Sequence, residues 1–139
     1  MWVSERTDDV LAERWHDLMG RYHRVSCTLD RALQAEHGLS ASDFEVLQLL
    51  FGAVGDTGQR CSGSDTGWVQ MHELGQHVHL TQSALSRQVT RLEKAGLVER
   101  ATCVNDRRSV QTRITQIGAS RFVQARPTQR AVLRESLSV

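Results

Sequence analysis

Apolar residues recur every three or four positions over residues 8–36, a spacing typical of one face of a long helix. In chain order the stripe consists of Leu11, Trp15, Leu18, Tyr22, Val25, Leu29 and Leu33. At a rise of 1.5 Å per residue this helix would be about 40 Å long, which is longer than the core of a small domain can cover. The pattern alone fits a helix that packs against a second subunit and, equally, a helix of an intrachain bundle.

Start and stop signals divide the next segment into a helix and a loop. Gly38 is a helix stop, and Ser40 followed by Asp43 is a variant of the capping box, so a second helix is predicted from there to Gly52. Residues 52–67 are polar and contain five glycines, which predicts a flexible connection. They match neither of the glycine motifs that cradle phosphates, so no phosphate site is expected there.

The rest of the chain predicts two helices separated by a turn, a β-hairpin and a last helix. The predicted elements are a short strand at 68–71, helices at 71–77 and 81–95, strands at 97–103 and 109–115, and a helix after Gly118. Thr81 is a favourable N-cap and Gly96 a stop for the helix at 81–95. Pro127 is expected to kink the last helix or divide it in two.

The helix at 81–95 has a narrow apolar side and a polar side rich in hydroxyl groups and cations. On a helical wheel its apolar side consists of Leu85, Val89 and Leu92, and its polar side of Ser83, Arg87, Thr90 and Lys94, flanked by Ser86 and Arg91. Short hydroxyls allow a close approach to DNA, and arginines can bind guanine edges or phosphates, so this helix suits the major groove. A solvated surface helix, the alternative, usually mixes Glu with Lys.

A basic hairpin tip follows this helix. Asp106, Arg107 and Arg108 lie between the two predicted strands, and basic tips of this kind reach the minor groove or the phosphates. Asp106 is expected to orient a neighbouring arginine or to cap the turn. The order helix-turn-helix, strand, tip, strand predicts a winged helix, that is, a mainly α fold with a small β-hairpin wing (α+β).

Composition and charge agree with a globular DNA-binding domain. The chain has 139 residues, enough for one domain with its own core, and a formal net charge of +1. Residues 81–113 nevertheless contain seven Lys or Arg against three Asp or Glu, which is typical of a surface that binds a polyanion. The sequence has no apolar run of membrane-spanning length and no signal-peptide pattern, so a cytoplasmic location is expected.

Three short motifs follow the helix at 81–95 at fixed distances: GLVER at 96–100, DRR at 106–108 and ITQIG at 114–118. These motifs resemble those of the MarR family of bacterial transcriptional regulators, and the resemblance extends over about residues 8–122. It implies a single winged-helix regulator domain over 1–139, with a DNA-binding part at 41–115 that contains the loop 52–67. Residues 8–36 and 119–139 would form the dimerisation helices.

The resemblance further implies a homodimer that binds a pseudo-palindromic operator, most often as a repressor, and that an effector releases. We expect Ser83, Ser86, Arg87 and Thr90 to meet base edges, Gln82, Arg91 and Lys94 to meet phosphates, and Arg107 and Arg108 to enter the minor groove. The loop 52–67 is longer than is usual in the family. The family also continues into a further dimerisation helix beyond the position of Val139, so either helix one and 119–139 form the interface or the sequence is truncated.

The effector could be a small aromatic compound, an oxidant or a metal ion. A small aromatic compound would bind between helices, where Trp15, Tyr22, Phe44 and Phe51 are the candidate walls. An oxidant would act through Cys27, with Arg24 and Arg31 on the same helix face favouring the reactive thiolate and Asp30 opposing them. The other cysteines are Cys61 and Cys103, and three widely spaced cysteines indicate reduced thiols. The histidines, including His72, His77 and His79, have no metal-ligand spacing, so no metal site is predicted.

The sequence predicts no enzyme activity and no cofactor, because it contains neither paired carboxylates with a pocket, nor a nucleophile elbow, nor a cofactor loop. Two alternatives to a ligand-released repressor remain open at this point. One is a winged helix that binds proteins instead of DNA, and the other is a redox-sensing regulator that uses Cys27.

Overall fold

The computed structural model describes residues 2–53, 67–102 and 109–138. The helices are α1 (Trp2–His37), α2 (Ala41–Ala53), α3 (Met71–His77), α4 (Gln82–Lys94) and α5 (Gln116–Leu137), and the strands are β1 (Val69–Gln70), β2 (Val98–Thr102) and β3 (Val110–Ile114). The predicted fold class is therefore confirmed: the protein is mainly helical and has a small antiparallel sheet. Within the described ranges no helix combines the length and the apolar character needed to cross a bilayer.

Helix α1 is longer than the predicted 8–36 and is only partly covered by its own chain. Near its end Leu33 is fully buried, and α1 packs against α5 and α2. It stops at Gly38, whose φ of 67° lies in the left-handed region that glycine adopts without strain. The first half of the stripe is open to solvent, with Trp15 60% and Leu18 59% exposed.

Helix α2 begins with the predicted capping box and supplies much of the core. The backbone N–H of Asp43 donates to Ser40 Oγ at 2.9 Å, and the N–H of Ser40 donates to Asp43 Oδ2 at 3.0 Å. The helix then buries Phe44, Val46, Leu47 and Leu50. It ends at Ala53, one residue beyond the predicted Gly52, and residues 54–66 of the predicted loop lie outside the described residues.

Helices α3 and α4 form the predicted helix-turn-helix. Thr81 caps α4, because its side chain accepts a hydrogen bond from the Ala84 N–H at 3.2 Å. Leu74 and Val78 on the α3 side and Leu85 on the α4 side are buried in one core. The apolar side that the wheel assigned to α4 is therefore the side that holds it against the protein.

The three strands form a sheet in the order β1-β3-β2. Strands β2 and β3 pair antiparallel, with Val98 opposite Ile114 and Thr102 opposite Val110, and β1 adds Val69 opposite Thr112. The short strand and the hairpin are confirmed. The hairpin loop at 103–108 lies outside the described residues.

Helix α5 differs from its prediction in two ways. It starts at Gln116 instead of after Gly118, because the Thr115 side chain accepts the Gly118 N–H at 3.0 Å and so caps the helix earlier. It is also not divided in two at Pro127, one of the two predicted effects of the proline, and runs on to Leu137. The proline removes one backbone donor, but α5 is held on both sides of it, by Phe122 before and by Gln129 after, which are both buried.

Gly118, in the first turn of α5, lies against the backbone of Leu97 between α4 and β2. A Cβ atom at this position would overlap the Leu97 carbonyl oxygen and would lie 2.9 Å from the Leu97 carbonyl carbon. The glycine is therefore required by a close approach of two backbones and not by a helix stop.

We expect Gly118→Ala to lower the free energy of unfolding by about 1–3 kcal/mol, the usual cost of overpacking a site that cannot relax. The matched control is Gly52→Ala in α2, where a Cβ would meet open space. That variant should be unchanged or about 0.5–1 kcal/mol more stable, because alanine favours helix. Urea unfolding of both variants measures the difference, and equal stabilities would contradict the close approach.

Candidate nucleic-acid interface

Helix α4 turns its polar side to solvent. Leu85, Val89 and Leu92 are at most 2% exposed, which fixes the rotation of the helix about its axis. The exposed residues of α4 are Gln82, Ser83, Ser86, Arg87, Arg91 and Lys94. Six of the seven predicted contact residues of this helix therefore lie on its solvent side.

Thr90, the seventh, is half-buried. Its hydroxyl donates to the Ser86 carbonyl oxygen at 2.9 Å, one turn earlier in α4. A hydroxyl that donates within the helix can still accept a hydrogen bond from a base edge. Gln82, at the start of α4, lies against α3, where its side-chain amide covers Gly75.

Arg91 is exposed at its end but is not free. Its guanidinium binds Asp43 of α2, and the same carboxylate oxygen accepts the Gln88 side-chain amide at 3.0 Å. From the sequence, only a capping role was predicted for Asp43, and no role was predicted for Gln88. Gln88 lies on the apolar side of the helical wheel, and a buried amide needs a polar partner. This was the available signal for a contact between Gln88 and another element.

A groove runs beside the exposed side of α4 towards the hairpin. It encloses about 570 Å³ and is lined by Met71, His72, Gln82, Ser83, Ser86, Arg100, Ser109 and Val110. The N-terminal half of α4 and the loop end of the hairpin strands thus line one groove.

Ion pairs hold the hairpin against α4. Glu93 accepts hydrogen bonds from the Arg100 guanidinium at 3.0 Å and from the Arg100 N–H at 3.2 Å. This side-chain bond from Arg100 lowers the pKa of Glu93, and so its carboxylate stays charged and paired. In the sheet, Arg113 binds Glu99 and stacks over the Trp68 ring, 4.4 Å from its centroid.

Helix N-termini attract phosphates, and the two relevant helices differ in this respect. The first turn of α4 contains no acid. At α2 the N–H of Ala41 donates to Asp30 Oδ1 at 2.6 Å, and Asp43 occupies the N–H of Ser40. Carboxylates therefore occupy the start of α2, whereas the start of α4 is free of negative charge.

Comparison with known proteins agrees with this geometry. The MarR family model matches residues 64–110, the region of the helix-turn-helix and the hairpin. The transcriptional regulator PecS of Dickeya dadantii (strain 3937) is 30% identical over 120 residues, which cover 84% of this chain. The chain spans 65% of the length of PecS.

Two solved structures share the fold over nearly the whole chain. Sco3205 of Streptomyces coelicolor, a MarR family transcriptional regulator solved in complex with DNA, is 26% identical with a TM-score of 0.75, over 90% of this chain and 74% of its own. The regulator BldR of Sulfolobus solfataricus is 25% identical with a TM-score of 0.77, over 94% of this chain and 84% of its own.

The chain is thus similar to MarR family regulators, through the family model over residues 64–110 and through relatives over most of its length. The resemblance read from the three short motifs is thereby confirmed. The MarR family relatives named above are transcriptional regulators, which agrees with the prediction that the chain is not an enzyme.

The wing residues of the MarR resemblance, Asp106, Arg107 and Arg108, lie outside the described residues, as do Cys61 and Cys103. The sites of the wing contacts therefore remain predictions from the sequence.

The four aromatic residues predicted to line one effector pocket are not brought together. Trp15 and Tyr22 are exposed on α1, whereas Phe44 and Phe51 pack against Phe122 with ring centroids 5.1 and 4.8 Å apart. The reason is that the apolar stripe of α1 continues beyond the part of the helix that α2 and α5 cover.

A different cavity of about 300 Å³ lies between α1, α2 and the turn before α4. Its lining consists of Tyr22, Ser26, Leu29, Ala41, Ser42, Glu45, His77, Val78, His79 and Leu80. Tyr22 is thus the one residue of the predicted set that borders this space.

Cys27 is exposed on α1, with its Sγ 3.7 Å from His23 Nε2. The described residues contain no group of three or more His, Cys, Asp or Glu side chains that could hold a metal ion.

Proposed function

We propose that this protein is a sequence-specific DNA-binding transcriptional regulator of the cytoplasm. It binds a pseudo-palindromic operator as a homodimer, represses transcription by occupying that site, and is released by an effector. The observation that carries the proposal is the exposed polar side of α4, which offers hydroxyls and cations next to the hairpin. The only acid of α4, Glu93, is turned to Arg100.

In this proposal α4 lies in the major groove. Ser83, Ser86, Arg87 and Thr90 meet base edges, and Gln82 and Lys94 meet phosphates. Arg107 and Arg108 enter the neighbouring minor groove. The likeness to Sco3205, which was solved in complex with DNA, supports this docking.

Arg87 and Arg108 should have different effects on DNA binding. Arg87→Ala should cost about 1–3 kcal/mol on a duplex that the wild-type protein selects from a random pool, and should relax the preference at one base pair, because a base contact is lost. Arg108→Ala should weaken selected and random duplexes alike, because a backbone or shape contact is lost. Fluorescence anisotropy with both duplexes measures the two effects.

Arg130→Ala on α5 is the matched control, because it removes an exposed cation outside α4 and the hairpin. Binding of the operator by both test variants at the affinity of the wild-type protein would refute the contacts. A wild-type protein that selects no duplex at all would favour the alternative, a winged helix that binds proteins.

The exposed part of the α1 stripe supports the homodimer. Val10, Leu11, Trp15, Leu18, Met19 and Tyr22 are each between 43% and 71% exposed, although they form one apolar face. An uninterrupted apolar face of this kind marks a protein interface. Since it lies on an element that already packs against α5 and α2, the partner can extend the same core.

The charges of α1 favour a second copy in antiparallel orientation. Residues 4–17 contain five Asp or Glu and two Arg, whereas residues 18–31 contain three Arg and one Asp. Antiparallel pairing places the acidic half of one helix beside the basic half of the other, and parallel pairing places like charges together.

We expect Leu18→Asp to raise the dissociation constant of the dimer by at least about 100-fold, because burying an unpaired carboxylate costs several kcal/mol. The single chain should stay folded, since Leu18 is exposed in it. His16→Asp, which adds the same charge off the stripe, is the control and should remain dimeric. Analytical ultracentrifugation measures the effect, and a wild-type protein that is monomeric at all concentrations would contradict the homodimer.

The cavity beside Tyr22 supports release by a small effector. It is bounded by the proposed dimerisation helix on one side and by the turn that precedes α4 on the other. A ligand that binds there can change the position of α4 relative to α1, and thereby the distance between the two recognition helices of the dimer. Its mixed lining of Tyr22, serine and histidine side chains suits a small aromatic compound with polar substituents.

Ser26→Trp should fill part of this cavity. In a thermal-shift screen of small phenolic compounds, we expect a ligand that stabilises the wild-type protein and weakens its operator binding. The same ligand should have no effect on Ser26→Trp, which should still bind the operator. A ligand that acts equally on both proteins would place the effector elsewhere.

A further inference from the structure

One carboxylate joins the start of α2 to the recognition helix. Asp43 is only 4% exposed, and its two oxygens serve different elements. Oδ2 accepts the Ser40 N–H at 3.0 Å and so completes the cap of α2. Oδ1 accepts the Gln88 amide at 3.0 Å and the Arg91 guanidinium, both from α4.

This arrangement constrains Arg91 more than its exposure indicates. The Arg91 side chain is 63% exposed and that of Asp43 only 6%, so the carboxylate depends on this cation for charge compensation. Removing the cation would leave a buried negative charge with hydrogen bonds from neutral donors alone, which is costly. A DNA phosphate that competes for Arg91 therefore has to displace it from a buried carboxylate and not from water.

The pair also changes the charge of the DNA-facing helix. The cations of α4 are Arg87, Arg91 and Lys94, and Asp43 neutralises one of the three. Backbone attraction is insensitive to sequence, so each cation that is withheld from the phosphates lowers binding to every duplex. Contacts to base edges are not affected by this loss.

Taking the proposed DNA binding as given, we propose that Asp43 is a specificity-determining positioning residue, which holds Arg91 away from the DNA backbone and fixes α4 against α2. Arg91 is then a partner of Asp43 in the free and in the DNA-bound protein. This revises the role that the sequence predicts for Arg91, a phosphate contact.

The salt dependence of DNA binding tests the proposal, because each phosphate contact adds about 0.9 to the slope of log K against log salt. The probes are a fluorescein-labelled random-sequence duplex and the duplex selected by the wild-type protein. The variants are Asp43→Asn, Arg91→Gln and the double variant, with Lys94→Gln as the control for a true phosphate contact. The double variant removes both charges together and so leaves no unpaired buried carboxylate.

We expect Asp43→Asn to release Arg91 to the backbone. Its slope should steepen by about 0.9 per recognition helix, and its affinity for the random duplex should rise several-fold. The ratio of selected to random affinity should fall as well, because α4 is no longer fixed against α2 by Asp43 and its contacts to base edges weaken. The double variant should keep the slope of the wild-type protein, and Lys94→Gln should flatten it.

A merely structural role for the pair would lower thermal stability without steepening the slope of Asp43→Asn, and that result would overturn the proposal. A double variant whose slope is as flat as that of Lys94→Gln would overturn it too, because Arg91 would then contact phosphate in the wild-type complex. If the wild-type protein binds neither duplex, the proposed function itself is refuted. This outcome is recognised from the wild-type protein alone, without any variant.

Discussion

The close approach of the start of α5 to Leu97, in the segment between α4 and β2, is the constraint on which the rest of the structure depends. The Leu97 carbonyl accepts the Thr115 N–H at 3.0 Å, and the Thr115 hydroxyl donates to the Gly96 carbonyl at 2.6 Å. Gly118 then lets the α5 backbone lie directly on Leu97. These few contacts fix the segment after α4, both strands of the hairpin and the start of α5 relative to one another, so the elements of the candidate interface and the proposed dimerisation helix share one junction.

Local signals in the sequence were sufficient wherever the responsible groups are close along the chain. The capping box of Ser40 and Asp43, the Thr81 cap and the apolar side of α4 were all predicted, because each depends on residues within a turn or two. Gly118 was read as a helix boundary for the same reason: a glycine beside a predicted strand usually ends an element. Its real cause is a neighbour 21 positions earlier in the chain, at Leu97, which no local pattern contains.

The candidate site shows the same division. The wheel of α4 correctly separated exposed from buried residues, since rotation about a helix axis follows from periodicity alone. The ion pair of Arg91 with Asp43 was not predicted, because the two residues are 48 positions apart in the chain. The aromatic residues of α1 were placed in a pocket with those of α2, although periodicity shows only that a face is apolar and not what covers it. A single sequence does not show which residues that are far apart in the chain contact each other in the fold.

The continuity of α1 has a mechanical consequence. It is an unbroken helix from its exposed stripe to Asp30, which holds the first N–H of α2. The twelve residue steps from Leu18 to Asp30 make an arm of about 18 Å. A tilt of about 10° at the stripe therefore moves the far end by about 3 Å, close to the 3.4 Å rise of one base pair. In the proposed dimer, a helix of this stiffness would turn a small rotation at the exposed stripe into a displacement of this size at the start of α2.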